Sequence, residues 1–422
     1  MRYFNNPAIL FGPDSITGLG LTRNLGKNGV KVYCVAEQKN EIAFSRYCKR
    51  FFVVPRVERD KEILRAFLSK IGRELQYPAV LFPGSDLFCI SLSRLRDEHG
   101  SESSGKYIFF RNTEAAETLV NKNKFYRSLD KYKVPHPITY FPETCQDIEN
   151  ISKKVQYPTY LRPSISQTFG GRFKKKGFVA RSQDELIECY MLASRYNMDV
   201  MVQEIIPGPA TNMFGINGYF NKMSEPQAFF AYRRVREWPH GFGNSSLMES
   251  IPISDVLCMK EIIESYLRKL RYHGIFDAEF KRDERDASFK LLEINARSWW
   301  ENSFPTKCGI NLILMAYLDS IGERIDYTDT YRIGVKWLFF FNDLLSSMKM
   351  LHEKQMSISE WLSSFKKIED YAFFSADDPL PWIVSSLFIS RNYTQELRTR
   401  VLIRLLEIFL GKKIKEKNIK EN

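Results

Sequence analysis

Two short stretches constrain the fold most: GIFDAEFKRD at 274–283 and KLLEINARSWW at 290–300. Each alternates apolar and polar residues as a half-buried strand does, and the charged DERDAS between them suits a hairpin turn. Period-two alternation turns Glu279 to one side with Asp277 and Lys281. It turns Glu293 to one side with Leu291 and Asn295, while Leu292, Ile294 and Ala296 face the other way. Neighbouring strands would then deliver two carboxylates and an amide oxygen to one place, a hard-oxygen donor set suited to Mg²⁺. Arg297, two residues past Asn295, falls on the same face as a fixed cation. Metal, carboxylates and arginine at one point suit the handling of a nucleotide phosphate. An amphipathic hairpin with solvated acidic residues fits the same letters, so the pair alone does not decide.

Composition sets outer bounds. A chain of 422 residues, 44% apolar and 27% charged, has the make-up of a globular protein with two or three full cores. No basic stub followed by an apolar core opens the chain, so no signal peptide is expected, and no apolar run approaches the roughly 20 residues that span a bilayer. Seven cysteines, scattered and never spaced C-x-x-C, point to reduced thiols in the cytoplasm rather than to a zinc site. The net charge of +12 is spread along the chain and interleaved with acids, with no nucleic-acid-binding module in view. An anionic small substrate or a solvated surface accounts for it, and no nucleic-acid partner is expected.

Along the chain, residues 8–12 read as a buried strand, 19–29 as a helix and 31–36 as a second strand. Further strands at 51–55, 79–86 and 107–110, with helices at 61–75 and 87–97, complete a Rossmann-like parallel sheet over 1–115. GPDSITGLG lacks the dinucleotide spacing of glycines. Asp86, at the edge where such sheets bind ligands, is a candidate for substrate contact and, more commonly, an N-cap. From 115 the pattern changes. TEAAETLVNKNKFYRSLDKYKV reads as one helix, YLRP as a strand, and 164–177 as a Ser/Gly/Lys-rich loop. In that loop the backbone of Gly170 and Gly171 is able to close on phosphates. A strand running into a proline-glycine turn over 199–210, strands at 213–220 and 228–237 and a helix at 258–272 lead into the hairpin. Residues 331–422 read as a mostly helical third region. Its end carries an apolar stripe, Val401, Leu405 and Ile408, followed by Lys412, Lys413 and Lys415. That stripe is expected to pack on the preceding domain; weak contact with an anionic membrane surface is the alternative.

Taken in order, these segments resemble the ATP-grasp superfamily of carboxylate–amine ligases over about 115–330. Asn121–Lys122, with P-H-P thirteen residues on, resembles the helix whose lysine reaches the nucleotide phosphates. VQYPTYLRP resembles the strand that carries a second phosphate-binding lysine, with Arg162 in its place, and 164–177 resembles the phosphate-covering loop. VQEIIPG (202–208) is similar to the hinge between the two halves, where Gln203 or Glu204 and the backbone of Ile206 would read adenine. RRVREWP with GFGNSS places Arg234 or Arg236 at the transferred phosphate or the substrate. Glu279, Glu293, Asn295 and Arg297 match the metal acids, asparagine and arginine. SITGLGLTRNLGKNGVKVY, FPGSD, EINARSWW and ADDPLPW bring the layout nearer still to a D-aspartate-ligase-like branch of predicted carboligases.

The resemblance implies an α/β and α+β architecture. A Rossmann-like domain over 1–115 would precede a two-lobed ATP-grasp domain (lobes about 116–205 and 206–330), with a helical region over 331–422. It implies ATP and Mg²⁺ (Mn²⁺ as a substitute), small-molecule carboxylate and amine substrates, an acyl phosphate and an amide product, and it leaves room for a homodimer. Departures are Asn121 for aspartate, Arg162 for lysine, Pro209 and Ala210 where an acid often binds ribose, and Trp300 for a small residue. A kinase on the same fold and a nucleotide-binding protein without chemistry are the rival readings.

Overall fold

The computed structural model describes residues 3–12, 14–99, 105–110, 113–241 and 243–392. The chain begins with five strands: β1 (Ala8–Phe11), β2 (Val32–Ala36), β3 (Cys48–Val53), β4 (Ala79–Pro83) and β5 (Tyr107–Ile108). They form one parallel sheet in the order β3-β2-β1-β4-β5, joined by α1 (Ser15–Gly26), α2 (Lys61–Glu74) and α3 (Asp86–His99). Every residue of β1 and β4 is buried, as a parallel strand covered on both faces requires. α1 starts earlier than its apolar pattern suggests because the Asp14 side chain accepts from the Thr17 N–H at 2.8 Å; the cap sets the start. Gly20 is where α1 lies against the later chain, since a Cβ there would come within 2.0 Å of the Asn302 amide oxygen.

The expected single helix after 113 is two, α4 (Thr113–Val120) and α5 (Lys122–Tyr132). Asn121 breaks them because its side chain accepts from the Lys124 N–H at 3.0 Å and caps α5. Asparagine caps a helix about as well as aspartate, so this departure from the family pattern keeps the local structure. A four-stranded sheet follows, with β6 (Thr139–Tyr140), β7 (Thr159–Pro163), β8 (Phe178–Ala180) and β9 (Val200–Glu204) in the order β6-β9-β7-β8. It is covered by α6 (Cys145–Ser152), α7 (Ser166–Phe173) and α8 (Gln183–Ser194). α7 corrects the expected loop over 164–177. Phe169, fully buried, packs on Phe173 (4.6 Å between ring centroids) and Phe178 (5.2 Å), and that apolar anchor holds the segment helical.

The largest sheet has seven strands in the order β14-β13-β10-β11-β12-β15-β16. They are β10 (Met213–Phe220), β11 (Pro226–Trp238), β12 (Asn244–Ser250), β13 (Gly274–Arg282), β14 (Phe289–Asn295), β15 (Lys336–Leu338) and β16 (Ile368–Tyr371). α9 (Leu257–Lys269) and α5 pack on it in one apolar core. α10 (Phe304–Cys308) and α11 (Leu312–Ser320) follow the hairpin, and α11 shares a core with the first sheet.

The boundary expected at 331 does not separate a helical region from this sheet. β15 pairs with β12, β16 joins β15, and α12 (Phe340–His352) and α13 (Ile358–Ser364) lie between them in sequence. ADDPLPW, singled out in the sequence, acts as a clamp ahead of α14 (Leu380–Asn392). Asp378 takes the buried Arg23 guanidinium at 3.0 Å and the Ser45 hydroxyl at 2.7 Å, tying this region to the first sheet's helix. No helix among the described residues is long and apolar enough to cross a membrane. The stripe at 401–415 lies outside the described residues.

Candidate active site

The three sheets open onto one cleft of about 1020 Å³. Its floor is the β13–β14 hairpin, where Glu279 stands opposite Glu293 and Asp277 opposite Asn295. β13 keeps the alternation read from the sequence; β14 does not. The register advances from Glu279–Glu293 to Phe280–Leu291, so Leu292 is an extra residue and β14 carries a bulge. Leu291, Ile294 and Ala296 therefore enter the core, while Leu292, Glu293 and Asn295 line the cleft. The pairing of Leu291 with the Glu293 face, expected from strict alternation, is thereby corrected.

The bulge aims Glu293 at two cations from the neighbouring lobe. Lys122 Nζ and Arg162 Nη2 each reach Glu293 Oε2 at 2.8 Å. Burial works to raise this carboxyl, but Lys122 and Arg162 bring it down to about 2. Burial depresses the Lys122 ammonium in turn, with Glu293 pulling it back. Arg162 Nη1 also donates to the Tyr126 hydroxyl at 2.9 Å and to Gln203 Oε1 at 3.1 Å. A lysine has one point of charge; here a planar fork serves three partners at once, which is what the arginine at this position adds. Tyr126 in turn donates to the Leu292 carbonyl at 2.6 Å, so the same network holds the bulge.

The structure separates the two candidate arginines of β11. Arg234 faces Glu279 (3.4 Å), pinned by Glu237 at 2.7 Å and the Ser245 hydroxyl at 2.9 Å. Arg236 instead grips Asp343 of α12 with two bonds of 2.7 and 2.9 Å, both side chains almost wholly buried. Register shifts on either side of Arg236 in the β11–β12 pair re-aim it. α12 is held on the sheet this way and brings Ser346 and Met350 to the cleft wall, where the His240 ring lies 2.9 Å from the Ser346 hydroxyl.

Arg297 comes to the cleft from the other side, its Nε donating to Asp86 at 2.7 Å; burial opposes its charge, but Asp86 holds its pKa up. Asp86 is the first residue of α3 and not its cap; the Ser85 hydroxyl takes the Phe88 N–H at 3.3 Å and leaves Asp86 free for Arg297. Gln203, Glu204 and Ile206 line the cleft at and just past the end of β9. Glu204 is engaged there by the Ile138 N–H at 3.1 Å and Arg285 at 3.2 Å. Pro209 and Ala210 line the same wall. Gly170 and Gly171 lie within α7 and do not line the cleft, whereas Lys176 does, donating to Asn244 at 2.7 Å. Trp300 lines the first sheet's side, its indole N–H on Asp14 at 2.9 Å and its ring against Phe339.

Sequence reasoning missed Tyr232 and Glu301, both at the cleft. Neither sits in a recognisable motif; only the fold brings them in. Tyr232 reaches Asp277 at 2.8 Å because Gly215, its partner across β10–β11, leaves room for the ring. A Cβ on Gly215 would sit 2.1 Å from that ring. Gly215→Ala is expected to cost about 1–3 kcal/mol in denaturant unfolding through overpacking; an unchanged midpoint would mean the ring moves freely.

The donors present fit a hard divalent cation. Burial, then the charges of neighbouring carboxylates, push Asp277 up to about 7 and Glu301 up to about 8, so carboxyls are crowded here in a buried place that resists their ionisation. Asn295 gives its amide nitrogen to Asp277 at 3.0 Å, which leaves its oxygen for the cleft. Among the described residues no three Asp, Glu, His or Cys side chains close on one point. The protein's share would be Glu279, Glu293 and Asn295, with phosphate and water completing the shell as Mg²⁺ prefers.

Known proteins align with this arrangement. No family model matches the chain. A D-aspartate ligase from Enterococcus faecium is 24% identical over 339 residues, 76% of this chain and 78% of that protein. The biotin carboxylase domain of Hydrogenobacter thermophilus 2-oxoglutarate carboxylase, solved with MgADP and bicarbonate, superposes with a TM-score of 0.61. It is 14% identical and covers 80% of this chain and 74% of its own. An L-amino acid ligase from Bacillus licheniformis gives a TM-score of 0.57 at 14% identity, over 76% of this chain and 75% of its own. The two structures show that the chain shares their fold, and over three quarters of its length its sequence is similar to that of a D-aspartate ligase.

Proposed function

We propose that this protein is an ATP-dependent carboxylate–amine ligase that makes an amide bond through an acyl phosphate, with an amino acid as one substrate. The observation that carries this reading is the meeting of Lys122 and Arg162 on Glu293, directly across the hairpin from Glu279 and Arg234. Carboxylates flanked by cations from two lobes suit a triphosphate and the charge that moves during phosphoryl transfer.

Lys122, Arg162 and Lys176 would hold the phosphates, and Gln203, Glu204 and Ile206 the base. Mg²⁺ at Glu279, Glu293 and Asn295, replaceable by Mn²⁺, would neutralise charge between the β- and γ-phosphates. Arg234 and Arg297 are already fixed by Glu237 and Asp86, so they aim a substrate carboxylate without reorganising. Its oxygen attacks the γ-phosphorus and ADP leaves. The amine nitrogen then attacks the carbonyl carbon, phosphate leaves, and the nitrogen loses a proton. No side-chain nucleophile is required, and all the groups named come from one chain. Trp300, His240, Ser346 and Met350 also line the cleft, and the second substrate would sit among them. The E. faecium relative's name supports an amino acid there.

A kinase would use the same phosphate site, and hydroxylamine separates the two. ADP release is screened over amino acids and amines with Mg·ATP. With an active acid, added hydroxylamine should give a hydroxamate in step with ADP. A stable phosphoester and no hydroxamate at any hydroxylamine concentration would establish the kinase; nucleotide binding without turnover on any pair would leave a binding protein.

A further inference from the structure

A row of three polar side chains crosses the floor of the cleft from β10 to β14. Asn217, Asp277 and Asn295 are register partners on adjacent strands. Asn217 Nδ2 donates to Asp277 Oδ1 at 2.8 Å, the Tyr232 hydroxyl donates to the same oxygen at 2.8 Å, and Asn295 Nδ2 donates to Asp277 Oδ2 at 3.0 Å. Asp277 is 2% exposed and Asn217 1% exposed, so the row is locked by packing as well as by bonds. Asn217 and Tyr232 both occupy Oδ1, so as a carboxylate Asp277 meets Asn295 with Oδ2 as an acceptor.

That has a chemical consequence for a primary amide. Its nitrogen and oxygen have nearly the same shape, so packing alone does not choose which one faces the cleft; the hydrogen-bond partner does. We infer that Asp277 is a positioning residue: by accepting the Asn295 amide nitrogen it forces the Asn295 oxygen toward the metal position, and the row back to Asn217 and Tyr232 keeps Asp277 in that role. This rests on the reading of Asn295 as a ligand to the nucleotide's divalent cation. Partners of this kind typically change metal affinity by about 10- to 100-fold.

Asp277→Asn tests it. The replacement keeps the shape and leaves an oxygen for Asn217 and Tyr232, but sets an amide nitrogen against the Asn295 nitrogen. Asn295 must then turn its oxygen inward and its nitrogen toward the cation. Mn²⁺ binding in the presence of ADP, followed by electron paramagnetic resonance, should weaken about 10- to 100-fold. The ADP-free unfolding midpoint should not fall, since a buried carboxyl has been replaced by a neutral group. Adding Asn295→Asp to the same variant should restore Mn²⁺ affinity to within about threefold, because a carboxylate presents an oxygen in either orientation.

Native-like Mn²⁺ affinity in Asp277→Asn overturns the inference. So does a loss that the double variant fails to recover, which would mark a structural effect. If the native protein itself bound no Mn²⁺ with ADP, the metal-nucleotide reading of the cleft would fail first, and the two failures are thus distinct.

Discussion

Glu293→Gln is expected to lower ATP turnover by about 100-fold or more, through loss of one charge at the proposed metal and phosphate centre. The amide matches the carboxylate in shape, so β14 and its bulge should persist, held by Tyr126 on the Leu292 carbonyl. What changes is the electrostatics. Lys122 and Arg162 share one oxygen of Glu293, and both side chains are largely buried. Without the charge they repel one another side by side.

The effect on stability carries a pH signature. The Glu293 carboxyl lies at about 2 in the folded protein against an ordinary 4.5, a depression caused by the two cations acting against burial. A depressed carboxyl contributes stability that is fully present above the unfolded value and is lost as pH falls through the folded one. The gap in unfolding free energy between native protein and variant should therefore be constant from neutrality to about pH 5 and close progressively below it. Turnover is measured as ADP release, and the gap by denaturant unfolding at stepped pH. Near-native ADP release with a confirmed substrate pair would remove Glu293 from the centre. A stability gap that did not change with pH would show that the ion pairs do not form in solution.

Much of the cleft's lining was legible because strands advertise themselves by alternation. That pattern alone brings Glu279, Asn295 and Arg297 to the cleft. Leu292 shows where such reading stops: a bulge adds one residue to a strand without any letter that marks it, and alternation then assigns the wrong face to its neighbours. The same physics divides Arg234 from Arg236, two residues apart and identical in type, but sent to different partners by the register shifts on either side of Arg236. Asn121 was readable as a departure from a family pattern, and its structural use as a cap is equally readable from residue chemistry. The helix over 166–173 was hidden by composition; Gly170, Gly171 and the lysines suggest a loop, and the Phe169–Phe173 spacing that anchors a turn is a weaker local signal. Least legible was the late chain. β15 is three residues long, and its pairing with β12 and β16 is what makes it a strand. Asp343 sits in a helix with nothing in its neighbourhood to announce a partner 107 positions earlier.

That partner makes Asp343→Ala the substitution with the largest expected effect on stability. The Arg236 and Asp343 side chains are 4% and 1% exposed, and their two hydrogen bonds are supplemented by Ser364 on the guanidinium at 2.8 Å. Removing the carboxylate leaves a buried guanidinium without its counter-charge, a change that typically costs about 3–5 kcal/mol. The cost should fall first on α12, whose contacts with β11 and β12 depend on this pair. Hydrogen exchange should therefore show α12, β15 and β16 opening before the parallel sheet does. Loss of charge and loss of packing are separated by a second variant. Arg236→Met with Asp343→Leu removes both charges and keeps apolar volume, so it should recover most of the lost stability. Because α12 carries Ser346 and Met350 into the cleft, Asp343→Ala should also weaken use of the second substrate more than binding of ATP. If exchange rates across α12 were unchanged in Asp343→Ala, the pair would not be what holds the late chain on the sheet. That wall of the cleft would then need another anchor.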